Sequence, residues 1–323
     1  MLSRVADALF WMSRYLERAE HVARLLDVCF HSEIDLHGVI SGPHELQWTA
    51  LAATLQVPLT VGQADGMPQA DLQPQVAFSR SLSFNLNNPM SIMSSITRAR
   101  NNARSIRGTI NSEMWKEINK LYWQLSDEDF LREAQHSPHE FYLAVEVGSH
   151  LVQGICDATL MHNEGWQFIQ LGKFLERAEK TLRILDVQYH LLHELTDPAN
   201  LPLTNLQWAA VLRSCRAYEA YQSLYVGRVE SDRVIEFLLL HPGFPRSVLF
   251  SLEQAAKALA EIEAIGGSRA ASAADRILGR VLSDLRFGEA DQIIERDLHG
   301  FLRGVLERCA QASSAVQVQY ALR

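Results

Sequence analysis

Apolar residues recur along this chain in steps of three and four. Met12, Leu16, Ala19, Ala23, Leu26 and Phe30 form one such series, and Ile92, Ile96, Ala99, Ala103, Ile106 and Ile110 form another. That spacing lines each set along one side of an α-helix, whereas the two-residue alternation of a half-buried strand is nowhere sustained. Segments 138–161 and 290–318 have no internal proline and extend the helical reading. Ser137-Pro138-His139-Glu140 reads as an N-cap followed by proline at the first helical position and an acidic first turn. Loops are expected at Ser41-Gly42-Pro43, Gln63 to Pro68, Asp197-Pro198, His241-Pro242-Gly243 and Gly266-Gly267-Ser268, and Pro89 and Pro245 are expected to start equivalent helices. The expected fold class is all-α.

The pattern also repeats itself. YLERAEHVARLLDV, from Tyr15, and FLERAEKTLRILDV, from Phe174, agree at nine of fourteen positions. Leu46-Gln47-Trp48 returns as Leu206-Gln207-Trp208, and Pro89-x-Ser91-Ile92 as Pro245-x-Ser247-Val248. The offsets are 159, 160 and 156 in unbroken order, and twice that length nearly exhausts 323 residues. The expectation is therefore two tandem, pseudo-symmetric helical bundles, 1–161 and 162–323.

On a helical wheel of about 100° per residue, Glu17, Glu20, Arg24 and Asp27 fall along one edge of the first apolar stripe, and Arg18 lies on the far side. The second copy rebuilds that edge with Glu176, Glu179, Arg183 and Asp186, again with an arginine, Arg177, next to the first glutamate. Adjacent positions diverge around a helix, so Glu17 and Arg18 cannot neutralise one another and each needs a partner on another element or a ligand. Two readings follow. The charges either fix the register of a helix–helix seam, or line a groove where glutamate meets an amine or metal and Arg24 or Arg183 a carboxylate or phosphate.

Composition narrows the partners. A net charge of −8 and a pI near 5.8 leave no basic surplus for gripping nucleic acid. No uncharged run approaches the roughly 18 residues needed to cross a bilayer, and the charged N-terminal pattern is unlike a signal peptide. Four well-separated cysteines, Cys29, Cys156, Cys215 and Cys309, suit core positions in a reducing cytoplasm.

No motif announces a catalytic nucleophile, a nucleotide-binding loop or a cofactor. A carboxylate-bridged metal site needs Glu-x-x-His motifs on two facing helices with further glutamates, and that set is not met, although Glu17 with His21 and Glu146 with His150 stand at i,i+4. His190 and His193 sit near a helix end, where the helix dipole accounts for them. The expectation is no metal and no cofactor. One asymmetry stands out: Arg100, Arg104 and Arg107 make a basic stripe answered in the second copy by Ala256, Ala260 and Glu263. Such a stripe is either a solvated face or a site for carboxylate or phosphate, suited to an acidic peptide or small molecule.

The doubled LERAE helix, preceded by Phe10-Trp11-Met12-Ser13-Arg14-Tyr15, resembles the bacterial alpha-E family, as do Asn88-Pro89 with Ser91-Ile92 and the Ala99-Arg100 to Arg107 segment. The resemblance covers essentially the whole chain. It implies an all-helical domain named for a Glu-Arg motif, usually duplicated in tandem, with Glu17-Arg18 and Glu176-Arg177 as the two motifs. The family's genes are typically associated with circularly permuted ATP-grasp proteins, transglutaminase-like proteins and an N-terminal-nucleophile hydrolase. The resemblance thus implies an accessory or substrate-binding component of a peptide synthesis or modification system. Two alternatives are an enzyme using Glu17 or Glu176 as acid/base with Arg24 or Arg183 holding substrate, and a scaffold whose charges serve packing alone. The copies differ at Trp11, Ser13 and His21, answered by Gln170, Gly172 and Lys180, which separates their expected roles.

Overall fold

A computed structural model describes residues 1–36, 43–59, 73–193, 201–267 and 271–322. Fourteen α-helices and no strand occur among the described residues. The loops expected at Ser41-Gly42, Gln63 to Pro68, Asp197-Pro198 and Ser268 lie outside them.

The chain divides into two compact units, Trp11–Met161 and His162–Arg323, and the second also includes Met1–Phe10. Helix α1 (Ser3–Leu36) is followed by α2 (Pro43–Leu55), α3 (Pro74–Phe84), α4 (Ile92–Ser105), α5 (Ser112–Leu125), α6 (Glu128–Ala134) and α7 (His139–Thr159). In this unit α5 packs against both α4 and α7. The core takes Met12, Leu16, Ala19, Ala23 and Leu26 from α1, Ile92, Ile96 and Ala99 from α4, Met114 and Ile118 from α5, and Phe141 and Val145 from α7. At Gly148 on α7, a Cβ would stand 2.7 Å from Leu121 Cδ1 of α5, so glycine permits that approach.

The second unit runs α8 (Glu164–His193), α9 (Leu201–Ser214), α10 (Tyr218–Leu224), α11 (Ser231–Leu240), α12 (Val248–Ile265), α13 (Ala273–Arg286) and α14 (Ala290–Tyr320). Here α8 packs most extensively on α12 and also on α14, while α13 lies against α12 and α14. Helix α14 breaks at Asp297, whose extended backbone ends one helical segment and whose carboxylate accepts the Gly300 N–H (2.9 Å) to cap the next.

Proline does not itself open α4 or α12. Pro89 and Pro245 stand in the turns before them, and the caps are Ser91 and Ser247, whose hydroxyls accept the Ser94 and Phe250 N–H groups at 3.0 and 3.1 Å. Each hydroxyl also donates, at 2.6 Å, to a carbonyl six residues upstream, Asn85 or His241, so one side chain fixes both the turn and the helix start. Two local expectations shift. Helix α4 ends at Ser105, and the turn donating Thr109 N–H to the Ile106 carbonyl carries Ile106 and Ile110 into the core without helical geometry. Pro138, not Ser137, is the residue that precedes α7, and it supplies no side-chain cap. All four cysteines are buried, and no described helix is long and apolar enough to cross a membrane.

Candidate functional site

A helix enclosed on nearly every side is normally apolar all round. Through its middle turns α1 is enclosed but charged: Glu17 is 1% exposed, Glu20 0%, Arg24 3%, and Arg14 and His21 are buried as well. Taking such groups out of water is costly unless partners replace the lost hydration. Arg24 donates to Glu20 one turn back and lies 3.4 Å from His21 Nδ1. From α7, His150 Nε2 comes within 3.4 Å of Glu20 Oε1, and Gln153 donates to Glu17 Oε2 at 3.3 Å. The carboxylates of α1 therefore meet α7, a helix separated from them by more than a hundred residues of chain.

Helix α8 carries the matching positions. Glu176 is fully buried, Lys173, Arg177 and Lys180 are buried around it, and Glu179, Arg183 and Asp186 are half-buried. Lys180 stands 3.5 Å from Glu176, taking the place that His21 holds relative to Glu17. Arg177 turns the other way: its guanidinium lies 5.3 Å from the Phe174 ring and donates to the Pro245 carbonyl (3.3 Å) in the turn before α12. Thr181 donates to the next carbonyl, Arg246, at 3.0 Å. Arg18 in the first unit lies over the Tyr15 ring at 5.4 Å, and Arg98 of α4 approaches the same ring at 5.7 Å.

Asp27, the last charge of the first edge, receives a 2.7 Å hydrogen bond from His139 Nδ1 at the start of α7. This bond holds the His139 imidazole above its usual pKa, against the opposing pull of partial burial. In the second unit His299 Nδ1 donates to Asp186 at 2.6 Å. Neither histidine was singled out from the sequence, although the two stand 160 residues apart and could have been found by extending the offset search. The basic stripe is spread between two environments. Arg100 Nε donates to Asn119 Oδ1 (2.8 Å) and its guanidinium lies 4.3 Å from the Tyr122 ring, so α5 fixes it, while Arg104 and Arg107 are exposed.

Residues 1–321 match the Alpha-E family, described as a predicted alpha-helical domain with a conserved ER motif. The chain belongs to the Alpha-E family. Among the relatives of this Alpha-E chain are an uncharacterised protein of Mycobacterium bovis and two of Mycobacterium tuberculosis, each 24% identical over 321 residues. The alignment covers 95% of this chain and 35% of each relative, so the chain spans about a third of their length. No solved structure matches it.

Proposed function

We propose that this Alpha-E chain is two copies of one helical bundle, 1–161 and 162–323, serving as an accessory or substrate-binding component of a cytoplasmic bacterial peptide synthesis or modification system. Its partners in this reading are a circularly permuted ATP-grasp protein and a transglutaminase-like protein. The ligand is a peptide or an acidic small molecule. The observation that carries the reading is how the motif charges are used. Glu17, Glu20 and Arg177 are engaged by Gln153, His150 and the Pro245 carbonyl on other elements, so they hold helices together and are not presented to a reactant. That favours a binding body over an enzyme. The mycobacterial relatives add support, because in them the matching segment is one part of a much longer polypeptide. Acidic ligands have the basic stripe as their natural docking place: Arg100 is pre-oriented by α5, and Arg104 and Arg107 are accessible.

The decisive experiment is affinity purification of the tagged chain from its native cells, with mass spectrometry of what is retained. An ATP-grasp protein retained through a salt wash is the expected result, and repeated purification without one refutes the partnership. For the ligand, a poly-glutamate peptide titrated into the protein should bind less tightly to Arg104→Ala/Arg107→Ala, with the difference shrinking as salt rises. Equal affinity at low salt removes the stripe from the proposal.

A further inference from the structure

The Asp27–His139 bond has a third neighbour. His31 follows Asp27 by one helical turn on α1, and its Nδ1 stands 3.4 Å from the Asp27 carboxylate and 2.9 Å from the Asp27 carbonyl oxygen. The His31 and His139 rings are 4.8 Å apart, edge to face. One donor atom from each of Asp27, His31 and His139 lies within 4.8 Å of the other two, the only such trio among the described residues. We infer that Asp27, His31 and His139 bind a divalent transition-metal ion, and that Asp186, His190 and His299 form a second, looser copy of the same site.

Three observations carry this. The first is donor chemistry. Two imidazoles and one carboxylate suit zinc and its neighbours among the divalent transition ions, whereas magnesium and calcium prefer oxygen donors alone. Three protein ligands also leave coordination positions for water or a small ligand, and the side chains are placed for that: His31 and His139 are 50% and 40% exposed. The second is redundancy. A hydrogen bond between His139 and Asp27 is enough to tie α7 to α1, and it has no need of a second, half-exposed imidazole facing the same carboxylate. The third is repetition. All three residue types recur in the second unit, at offsets of 159, 159 and 160, even though the basic stripe, Glu146 and His21 are not kept. There His299 holds Asp186 at 2.6 Å, and the His190 and His299 rings are 5.7 Å apart. The wider ring separation is why the second site is expected to be weaker. Helix-dipole stabilisation, the simplest sequence-level account of His190, does not explain why a histidine from another helix is brought beside it.

The test uses the whole chain, stripped with a chelator and then titrated with Zn²⁺ by calorimetry and with Co²⁺ by visible absorption. Two binding events of unequal affinity are expected, and Co²⁺ should develop the absorption bands of a nitrogen-and-oxygen site. His31→Ala removes a ligand while leaving the Asp27–His139 tie in place. It should weaken the tighter event by at least roughly 100-fold, a scale that even outer-shell partners of metal ligands can reach, with helicity and melting temperature of the stripped protein unchanged. His190→Ala should weaken only the other event. If no heat and no spectrum develop up to about 1 mM metal, where affinity is negligible, the inference is overturned. It is equally overturned if His31→Ala and His139→Gln both bind as the unaltered chain does.

Discussion

Replacing Arg24 with methionine tests whether the charges enclosed around α1 hold one another. Methionine matches the length of the arginine stem and removes only the guanidinium. Glu20, at 0% exposure, then keeps its carboxylate in a place where water cannot restore the lost hydration, with the half-exposed His150 imidazole at 3.4 Å across from it. Breaking a buried pair from one side costs about 3–5 kcal/mol. At roughly 2–4 °C per kcal/mol for a unit of about 150 residues, the melting transition should fall by about 6–20 °C. The assay is thermal and urea unfolding followed by circular dichroism, run on Arg24→Met, Glu20→Leu and the double variant. Because the double variant removes both charges, it should recover most of the loss, giving a coupling well above the roughly 0.5 kcal/mol expected of independent sites. A single variant that loses less than about 1 kcal/mol, the range of exposed pairs, would refute the reasoning. So would a double variant whose loss is the sum of the two singles.

Other expectations follow from the same geometry. Arg177→Met removes the donor to the Pro245 carbonyl and the contact with Phe174, and should cost about 1.5–3 kcal/mol in urea unfolding; Arg177→Lys should not restore it, since an ammonium lacks the planar face. Gly148→Ala would ordinarily stabilise a helix by about 1 kcal/mol, yet here it should destabilise by about 1–3 kcal/mol because its methyl group meets Leu121. A gain in stability would show that the α5–α7 approach is looser than described. Burial pushes Tyr320 up to about 12, with Glu263 and Glu164 adding to the effect. Its raised value contributes stability that is whole below the unfolded phenol's value near 10 and is lost as pH climbs toward 12. The Tyr320→Phe protein should therefore lose less stability than the unaltered chain between those limits, measured by urea unfolding at stepped pH.

The helical class was readable because three-and-four spacing reports one side of one helix, and Met12, Leu16, Ala19, Ala23 and Leu26 are all buried. The same spacing overran at Ile106 and Ile110, since a turn can bury two isoleucines at a four-residue interval as well as a helix can. It placed Glu17, Glu20 and Arg24 at the edge of a stripe and said nothing of how deep that edge would lie. Depth is decided by what packs against it, and Gln153 and His150 come from α7. Asp27 was visible as part of the repeated strip, but its meaning depends on His139, 112 residues away. Periodicity carries no information across such a distance. Arg177 was expected to reach a separate element, and the identity of its acceptor, a backbone carbonyl, could not be read from any side chain.

The grouping of Met1–Phe10 with His162–Arg323 has a consequence for biosynthesis. Residues 11–161 can close on themselves as soon as they have left the ribosome, but Ala6, Leu9 and Phe10, all buried in the finished protein, are translated about 150 residues before the unit that covers them. During that interval the emerging chain carries a short, greasy segment still waiting for its cover, and the later unit completes itself only by reclaiming residues made long before it.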